Sequence, residues 1–118
     1  MLPKENRLRA KYDYRRVKRI GKAGFSLYFT ILYAPAKDPK SLRFGFVASS
    51  KFDKRATQRN RARRLMREAV RKKLPDIKLG YDIILIAKSK IKEANFEEVN
   101  SSLDQVLSKI SLLRSGVG

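Results

Sequence analysis

Arg59, Asn60, Arg61, Arg63, Arg64 and Arg67 stand within nine residues of one another, in a run that still has a helix pattern. A guanidinium can hold a phosphate with two hydrogen bonds and can stack on a base. Asn60 among them can read a 2′-hydroxyl, a base edge or a metal-bound water. From Lys51 to Lys73, eleven of twenty-three residues are Lys or Arg and two are acids. A helix so crowded with like charge repels itself. Its sequence makes sense opposite a polyanion.

At about 100° per residue the positions sort into faces. Ala62, Leu65, Met66, Ala69 and Val70 form an apolar stripe that predicts burial. Asn60, Arg63, Arg64, Arg67 and Arg71 fall on a neighbouring side, with Arg59 at the boundary. Arg55, Arg59, Arg63, Arg67 and Arg71 make a row at i, i+4 spacing. Each like-charge pair at that spacing costs an isolated helix about 0.2–0.5 kcal/mol. Phosphates reverse the sign of this effect, and neutralising them releases counterions. A charge run is ordinarily a solvated face with no partner. Here only Glu68 lies inside the helix to balance it, which favours a binding surface.

Chemistry performed by the chain itself is poorly supported. It has no histidine and no cysteine. The Ser-His and Cys-His nucleophile pairs are therefore impossible, and zinc lacks its two favoured ligands. Metal-independent cleavage of a phosphodiester would lack its usual acid and base. Two-metal hydrolysis needs clustered carboxylates. Asp53, Asp76 and Asp82 are single, in separate loops or strand ends, and read as cap or turn residues. No catalytic residue and no metal site are expected in the protein.

The elements that position the motif follow from periodicity and punctuation. Residues 1–10 read as a short basic arm, extended, with Leu2-Pro3 and Leu8 able to pin it to the body. Lys11 to Ile20 predicts an amphipathic helix through Tyr14 and Val17, with Tyr12 and Ile20 as further candidates, ended by Gly21 and Gly24. Leu27–Tyr33 and Leu42–Ser49 read as two strands of a hairpin, with Gly45 a bulge or a close backbone approach. A break inside 25–33 gives three strands in all before the basic helix. That helix runs from about Ala56 to Leu74, capped by Asp53 or Thr57 and stopped by Pro75. Tyr81–Lys88 is near-continuously apolar, as in a buried strand. Asn95 to Leu112 predicts a last helix, with Phe96, Val99, Leu103, Val106, Leu107 and Ile110 on one face.

The order is α-β-β-β-α-β-α, an α+β fold with about four strands in a small central sheet and three helices. The unit from the second long strand through the basic helix to Tyr81–Lys88 reads as a βαβ crossover. General statistics favour a right-handed one. The 118 residues suit a single domain, and 42% hydrophobic content suits a folded one. The net charge of +18 attracts anions. A membrane-surface helix would carry bulkier apolar residues than this Ala-rich stripe. A DNA-reading helix-turn-helix would not be flanked by strands. Structured RNA fits best. No apolar run approaches the roughly 20 residues of a membrane span. The absence of a signal core and of cysteine agrees with a cytoplasmic protein.

The stretch Ala56-Thr57-Gln58-Arg59-Asn60-Arg61-Ala62-Arg63-Arg64-Leu65-Met66-Arg67 resembles the protein subunit of bacterial ribonuclease P. Asn6-Arg7-Leu8, Asp13-Tyr14, Phe44-Gly45-Phe46-Val47 with Lys51, and Tyr81-Asp82-Ile83-Ile84 extend the likeness from Asn6 to about Leu112. The resemblance implies a holoenzyme in which a catalytic RNA, using Mg2+ that it mainly binds itself, removes the 5′ leader of precursor tRNA. The protein would be an endoribonuclease subunit that does not cut alone. It implies a left-handed crossover, against the general statistics. It implies that Lys51, Arg59, Asn60, Arg61, Arg64 and Arg67 contact the RNA subunit, and the row adds Arg55, Arg63 and Arg71. Tyr14, Lys18 and Leu32 would line a leader-binding cleft, with Arg15 supplying charge beside it. Lys18 stands where an aromatic is common, and Lys54 where glycine is usual. The competing reading is a structural RNA-binding protein of the ribosome or its assembly.

Overall fold

A computed structural model describes residues 2–114. Three helices and four strands appear in the expected order: α1 (Lys11–Ile20), β1 (Lys22–Phe25), β2 (Phe29–Pro35), β3 (Leu42–Val47), α2 (Ala56–Lys73), β4 (Tyr81–Ala87) and α3 (Phe96–Lys109). Short 3-10 turns cover Lys4–Asn6, Leu74–Asp76 and Ser89–Glu93.

The strands form one sheet in the order β1-β2-β4-β3. Strand β4 runs antiparallel to β2 and parallel to β3. The expected hairpin of the second and third strands is therefore absent, because β4 lies between them. The cause is in β4 itself. Ile83, Ile84 and Leu85 are all buried, so successive side chains are covered on both faces. A strand of that kind belongs inside a sheet with neighbours on each side. β3 and β4 are joined through α2, as a βαβ crossover requires.

The break expected inside 25–33 is present, and β1 lies just before it, on residues read only as the glycine-marked end of the first helix. The break that separates it from β2 is built on Ser26, whose Oγ accepts from the Tyr28 and Phe29 amides at 3.1 Å. β2 consequently begins at Phe29 and continues through Pro35. Gly80, at φ +92°, makes the tight entry into β4 and donates its N–H to the Ser41 carbonyl.

One face of the sheet carries Phe29, Ile31, Leu42, Phe44, Ile83 and Leu85, and holds the main core with α2 and α3. The buried residues of α2 include Ala62, Met66, Ala69 and Val70, with Leu65 half-buried beside them. The α3 stripe expected from its spacing is the one that packs, through Val99, Leu103, Val106 and Leu107. Asn95 caps α3 with Glu98 in a reciprocal pair of hydrogen bonds at 3.0 Å. By contrast, neither Asp53 nor Thr57 caps α2, whose N-cap is Arg55. Asp53 instead accepts the Arg55 N–H at 2.8 Å, one residue before the helix.

The other face is thinly covered. α1 lies across part of it over a small cluster of Leu8, Val17, Ala34 and Ile84. Tyr12 and Ile20 do not join this cluster and remain 59% and 55% exposed. The arm is pinned by Leu2 and Leu8, both buried. It is not fully extended, since Lys4–Asn6 forms a turn, and Arg7 then bridges to Phe44 on the edge strand β3. The Leu8 N–H donates to the Phe44 carbonyl at 2.8 Å.

Candidate nucleic-acid interface

The 18-residue α2 keeps all its arginines out of the buried stripe, while its Ala-rich side lies on the core. Small side chains there let the helix sit close to β3 and α3. The expected row at i, i+4 is present, and most of its members are engaged within the protein. Arg55 pairs with Asp53 at 2.9 Å. Arg59 donates to the Asp53 and Lys54 carbonyls at 3.0 and 2.7 Å. Arg63 donates to Asn60 Oδ1 at 2.8 Å and to the Ala48 carbonyl at 3.0 Å. The Arg67 guanidinium lies 5.7 Å from the centre of the Phe46 ring. Arg71 pairs with Glu68 at 2.9 Å, which lowers the Glu68 pKa. These contacts orient the side chains; the carbonyls, amide and ring around Arg59, Arg63 and Arg67 leave their charge in place, whereas Asp53 and Glu68 balance Arg55 and Arg71.

Two motif residues depart from this pattern. Arg64 is exposed and makes no hydrogen bond or ion pair among the described residues. Arg61 does the opposite. It donates to the Ala94 carbonyl at 2.6 Å and to the Ile91 carbonyl at 3.3 Å, holding α2 to the turn before α3. Its donors are thus directed to the protein itself. Lys51 lies exposed in the loop that leads to α2. Lys73, on the opposite flank, is buried and donates to Asn100 Oδ1 of α3 at 2.8 Å.

The second candidate surface lies between α1 and the thinly covered sheet face. Tyr14 is half-buried and packs onto Gly45 of β3, where a Cβ would stand 2.3 Å from the phenol oxygen. The glycine therefore marks a close approach by an aromatic ring, with no interruption of the β3–β4 register. The Tyr14 hydroxyl donates to the Leu8 carbonyl at 3.1 Å, and burial raises its pKa. Leu32, Val47 and Ile86 are half-buried in the same cluster as Tyr14. Arg15 and Lys18 are exposed on α1. Strand alternation puts Phe25 on this face too, since it is paired with Thr30. Phe25 is 68% exposed, with the Lys88 ammonium 5.6 Å from its ring centre. Phe25, Val47 and Ile86 were not anticipated from the sequence. Their signal was the strand register, which depends on knowing that β4 is central.

A cavity of about 370 Å³ joins the two surfaces, with Arg9 and Tyr14 on one side and Phe46 and Arg67 on the other. Cations and rings therefore continue from the α1 face to the α2 face. Of the acids near α2, Asp53 and Glu68 are each paired with an arginine at one of its ends. Glu97, Glu98 and Asp104 lie exposed on α3, while Asp13 and Asp82 are buried.

Asp82 corrects the expectation of a turn residue. It is fully buried in β4 and accepts two hydrogen bonds from Arg43, at 2.9 and 2.8 Å, and one from Arg16. Asp53 is not a simple cap either. The Arg55 guanidinium and amide, with Lys92 behind them, hold its carboxyl well below the usual aspartate range. Among the described residues, no group of three or more His, Cys, Asp or Glu stands together as a metal site. The described helices include none long and apolar enough to cross a membrane.

A family model for ribonuclease P matches residues 2–111. The ribonuclease P protein component of Chloroflexus aggregans is 38% identical over 109 residues, covering 92% of this chain and 79% of that protein. That of Alkaliphilus oremlandii is 33% identical over 112 residues, covering 95% and 96%. Among solved structures, the ribonuclease P protein of Thermotoga maritima superposes with a TM-score of 0.76 at 32% identity, over 87% of this chain and 96% of that one. The Staphylococcus aureus protein gives 0.82 at 26% identity, over 94% and 100%. With nearly all of its length matched in sequence and in fold, the chain belongs to the ribonuclease P protein family.

Proposed function

We propose that this chain is the subunit through which a ribonuclease P particle holds two RNAs at once: its own catalytic RNA on α2 and the 5′ leader of precursor tRNA beside α1. The observation that carries this reading is the adjacency of two unlike surfaces. One is an arginine face with an unengaged Arg64 at its centre. The other is a half-open sheet face with a tyrosine, apolar side chains and the flanking cations Arg15 and Lys18. Arginines on a rigid helix suit the fixed phosphates of a folded RNA. A groove combining rings and cations suits a single strand, with each stacked base contributing about 1–3 kcal/mol.

On α2 the contacts to the RNA subunit fall to Arg64 and Lys51 first, then to Arg59, Asn60, Arg63 and Arg67, whose internal bonds fix their direction. Arg55 and Arg71 extend the face at its two ends, where a phosphate would compete with Asp53 and Glu68 for them. Arg61 supports that face from behind. On α1, Tyr14, Arg15 and Lys18 face the leader together with Leu32.

The cutting step belongs to the RNA in this reading. Asp13, Asp53 and Asp82 are engaged with guanidiniums of the same chain, so a resident metal does not fit the protein. Magnesium is assigned to the RNA subunit. The protein lowers the magnesium requirement by supplying fixed positive charge. A cytoplasmic site of action and a left-handed β3–α2–β4 crossover complete the reading on family resemblance. No observation favours a ribosomal structural role.

Reconstitution tests it. The purified chain is added to a bacterial ribonuclease P RNA at low magnesium, with precursor tRNA bearing or lacking a leader. Stimulated cleavage, stronger for the leader-bearing substrate, is expected. Stimulation that ignores the leader would defeat the α1 half of the reading, and no stimulation would defeat both halves.

A further inference from the structure

We infer that Asp82 is a positioning residue for the α1 cleft: its buried carboxylate sets where α1 sits on the sheet, and through α1 the placement of Tyr14 and Lys18. The inference rests on the leader-binding reading above.

The apolar grip on α1 is slight. Val17 is its only fully buried apolar residue, and the cluster beneath it is small. Contacts of that kind are non-directional and allow a helix to slide or roll. The polar contacts are different. Asp82 takes both Arg43 bonds from the neighbouring strand, where the two residues are cross-strand partners. The same carboxylate receives Arg16 from α1. Arg16 also donates to the Pro35 carbonyl at the end of β2, at 2.9 Å. Asp13, one turn before Arg16, lies 3.5 Å from it and 3.4 Å from Arg43. One carboxylate on the central strand thus ties together α1, β3 and β4, and Arg16 extends the tie to β2.

Arg16 lies midway between Tyr14 and Lys18 along the helix. Fixing its guanidinium at two points fixes the rotation of α1 about its axis. That rotation decides whether the Tyr14 ring meets Gly45 or swings into the open cleft. A buried ion pair adds little net stability over an apolar replacement of the same shape. Its contribution here is geometric: fork-shaped, two-point hydrogen bonds specify one seating among several that apolar contact would permit. Nothing in the leader-binding reading requires Asp82 to touch RNA, and its complete burial prevents it.

The test uses Asp82→Asn and, should that variant fail to fold, Arg16→Lys, which keeps the charge and loses the two-point hold. Each is assembled with the RNA subunit. The measurements are the affinity for the RNA subunit and the ratio of affinities for leader-bearing and leaderless tRNA. The ratio should fall about tenfold, comparable to losing one stacked base, with RNA-subunit affinity unchanged. The chain has no cysteine, so spin labels at Arg19→Cys and Lys90→Cys report the distance from α1 to the turn that follows β4. That distance distribution should broaden in Asp82→Asn. A folded variant with an unchanged distribution, or an unchanged leader ratio where Tyr14→Ala abolishes it, overturns the inference. Equal losses in both affinities also overturn it, since they mark a general defect of the fold. If Tyr14→Ala itself leaves the ratio intact, the leader reading has failed instead.

Discussion

The Arg61 guanidinium, in the middle of the Arg-Asn-Arg motif, donates to the Ala94 carbonyl at 2.6 Å, across the join between α2 and α3. Its neighbour Arg64 reaches solvent with no partner among the described residues. Two arginines three positions apart therefore do different work. Arg61→Ala should lower stability by about 1.5–3 kcal/mol, the range for a hydrogen bond to a charged group. Arg64→Ala should move stability by less than about 0.5 kcal/mol. The RNA-binding ranking reverses. Arg64→Ala should reduce the slope of log affinity against log salt by about one, and Arg61→Ala should keep it. Urea midpoints and binding across a salt series decide this. A reduced slope for a fully stable Arg61→Ala would place Arg61 on the RNA.

Tyr14 and Gly45 are similarly interlocked. A Cβ at position 45 would meet the Tyr14 hydroxyl at 2.3 Å and the ring carbon behind it at 2.5 Å. The obstacle is the far end of a side chain, so the ring moves and the strand stays. Gly45→Ala loses the Tyr14–Leu8 hydrogen bond, about 0.5–1.5 kcal/mol. It regains about 0.5–1 kcal/mol by removing a glycine from a strand. Stability should hardly change, while leader affinity falls as in Tyr14→Ala. In the double variant the two losses should not add, because both act on one ring. Additive losses in leader affinity would separate the two residues.

How far the sequence revealed this arrangement depended on the range of the interactions involved. α2 and α3 were legible because apolar residues three and four apart report one face. β4 was legible from its unbroken apolar run. The extra strand was expected from a break inside 25–33, but its place was not, since Lys22-Ala23-Gly24-Phe25 has the composition of a turn and becomes a strand only by pairing with β2. The order β1-β2-β4-β3 was hidden for a related reason: chain order suggested a β2–β3 hairpin, and the two-sided burial of β4 prevented it. The arginine motif announced a polyanion site. Which arginines turn inward depends on the carbonyls of Ile91 and Ala94, about thirty residues away. The Asp82 network was likewise invisible, since Arg16 and Asp82 are separated by 66 residues.

Lys73 gives a test of the α2–α3 contact. Its ammonium donates to Asn100 Oδ1 at 2.8 Å and lies 3.6 Å from the more exposed Asp104. Lys73→Met keeps the apolar stem and leaves the Asn100 oxygen without its donor. The expected cost is about 1–3 kcal/mol, because an unpaired polar group in a covered site loses hydration without compensation. Asp104→Ala should cost less than about 1 kcal/mol, as for an exposed ion pair. Thermal unfolding of the two variants compares them. A larger loss for Asp104→Ala would make the ion pair, and not the amide contact, the stabilising element.

Asp53 makes the approach to α2 sensitive to acid. Its carboxylate holds the Arg55 guanidinium at 2.9 and 3.1 Å and the Arg55 N–H at 2.8 Å, with Lys92 at 3.1 Å. These donors favour the ionised form, so the folded-state pKa lies below the ordinary value of 3.8. The unfolded chain then binds the proton more readily than the folded one. Stability from this group is therefore complete above the unfolded pKa and is lost as pH falls through the folded one. Asp53→Asn should be less stable than the parent at pH 7 and by the same margin at pH 5. The margin should shrink once the pH drops below about 4, near the aspartate reference value. Melting temperatures of the two proteins at pH 7, 5 and 3 measure it. A margin that grows on acidification would mean that Asp53 is not held ionised by Arg55 and Lys92, and that the loop before α2 is braced by other contacts.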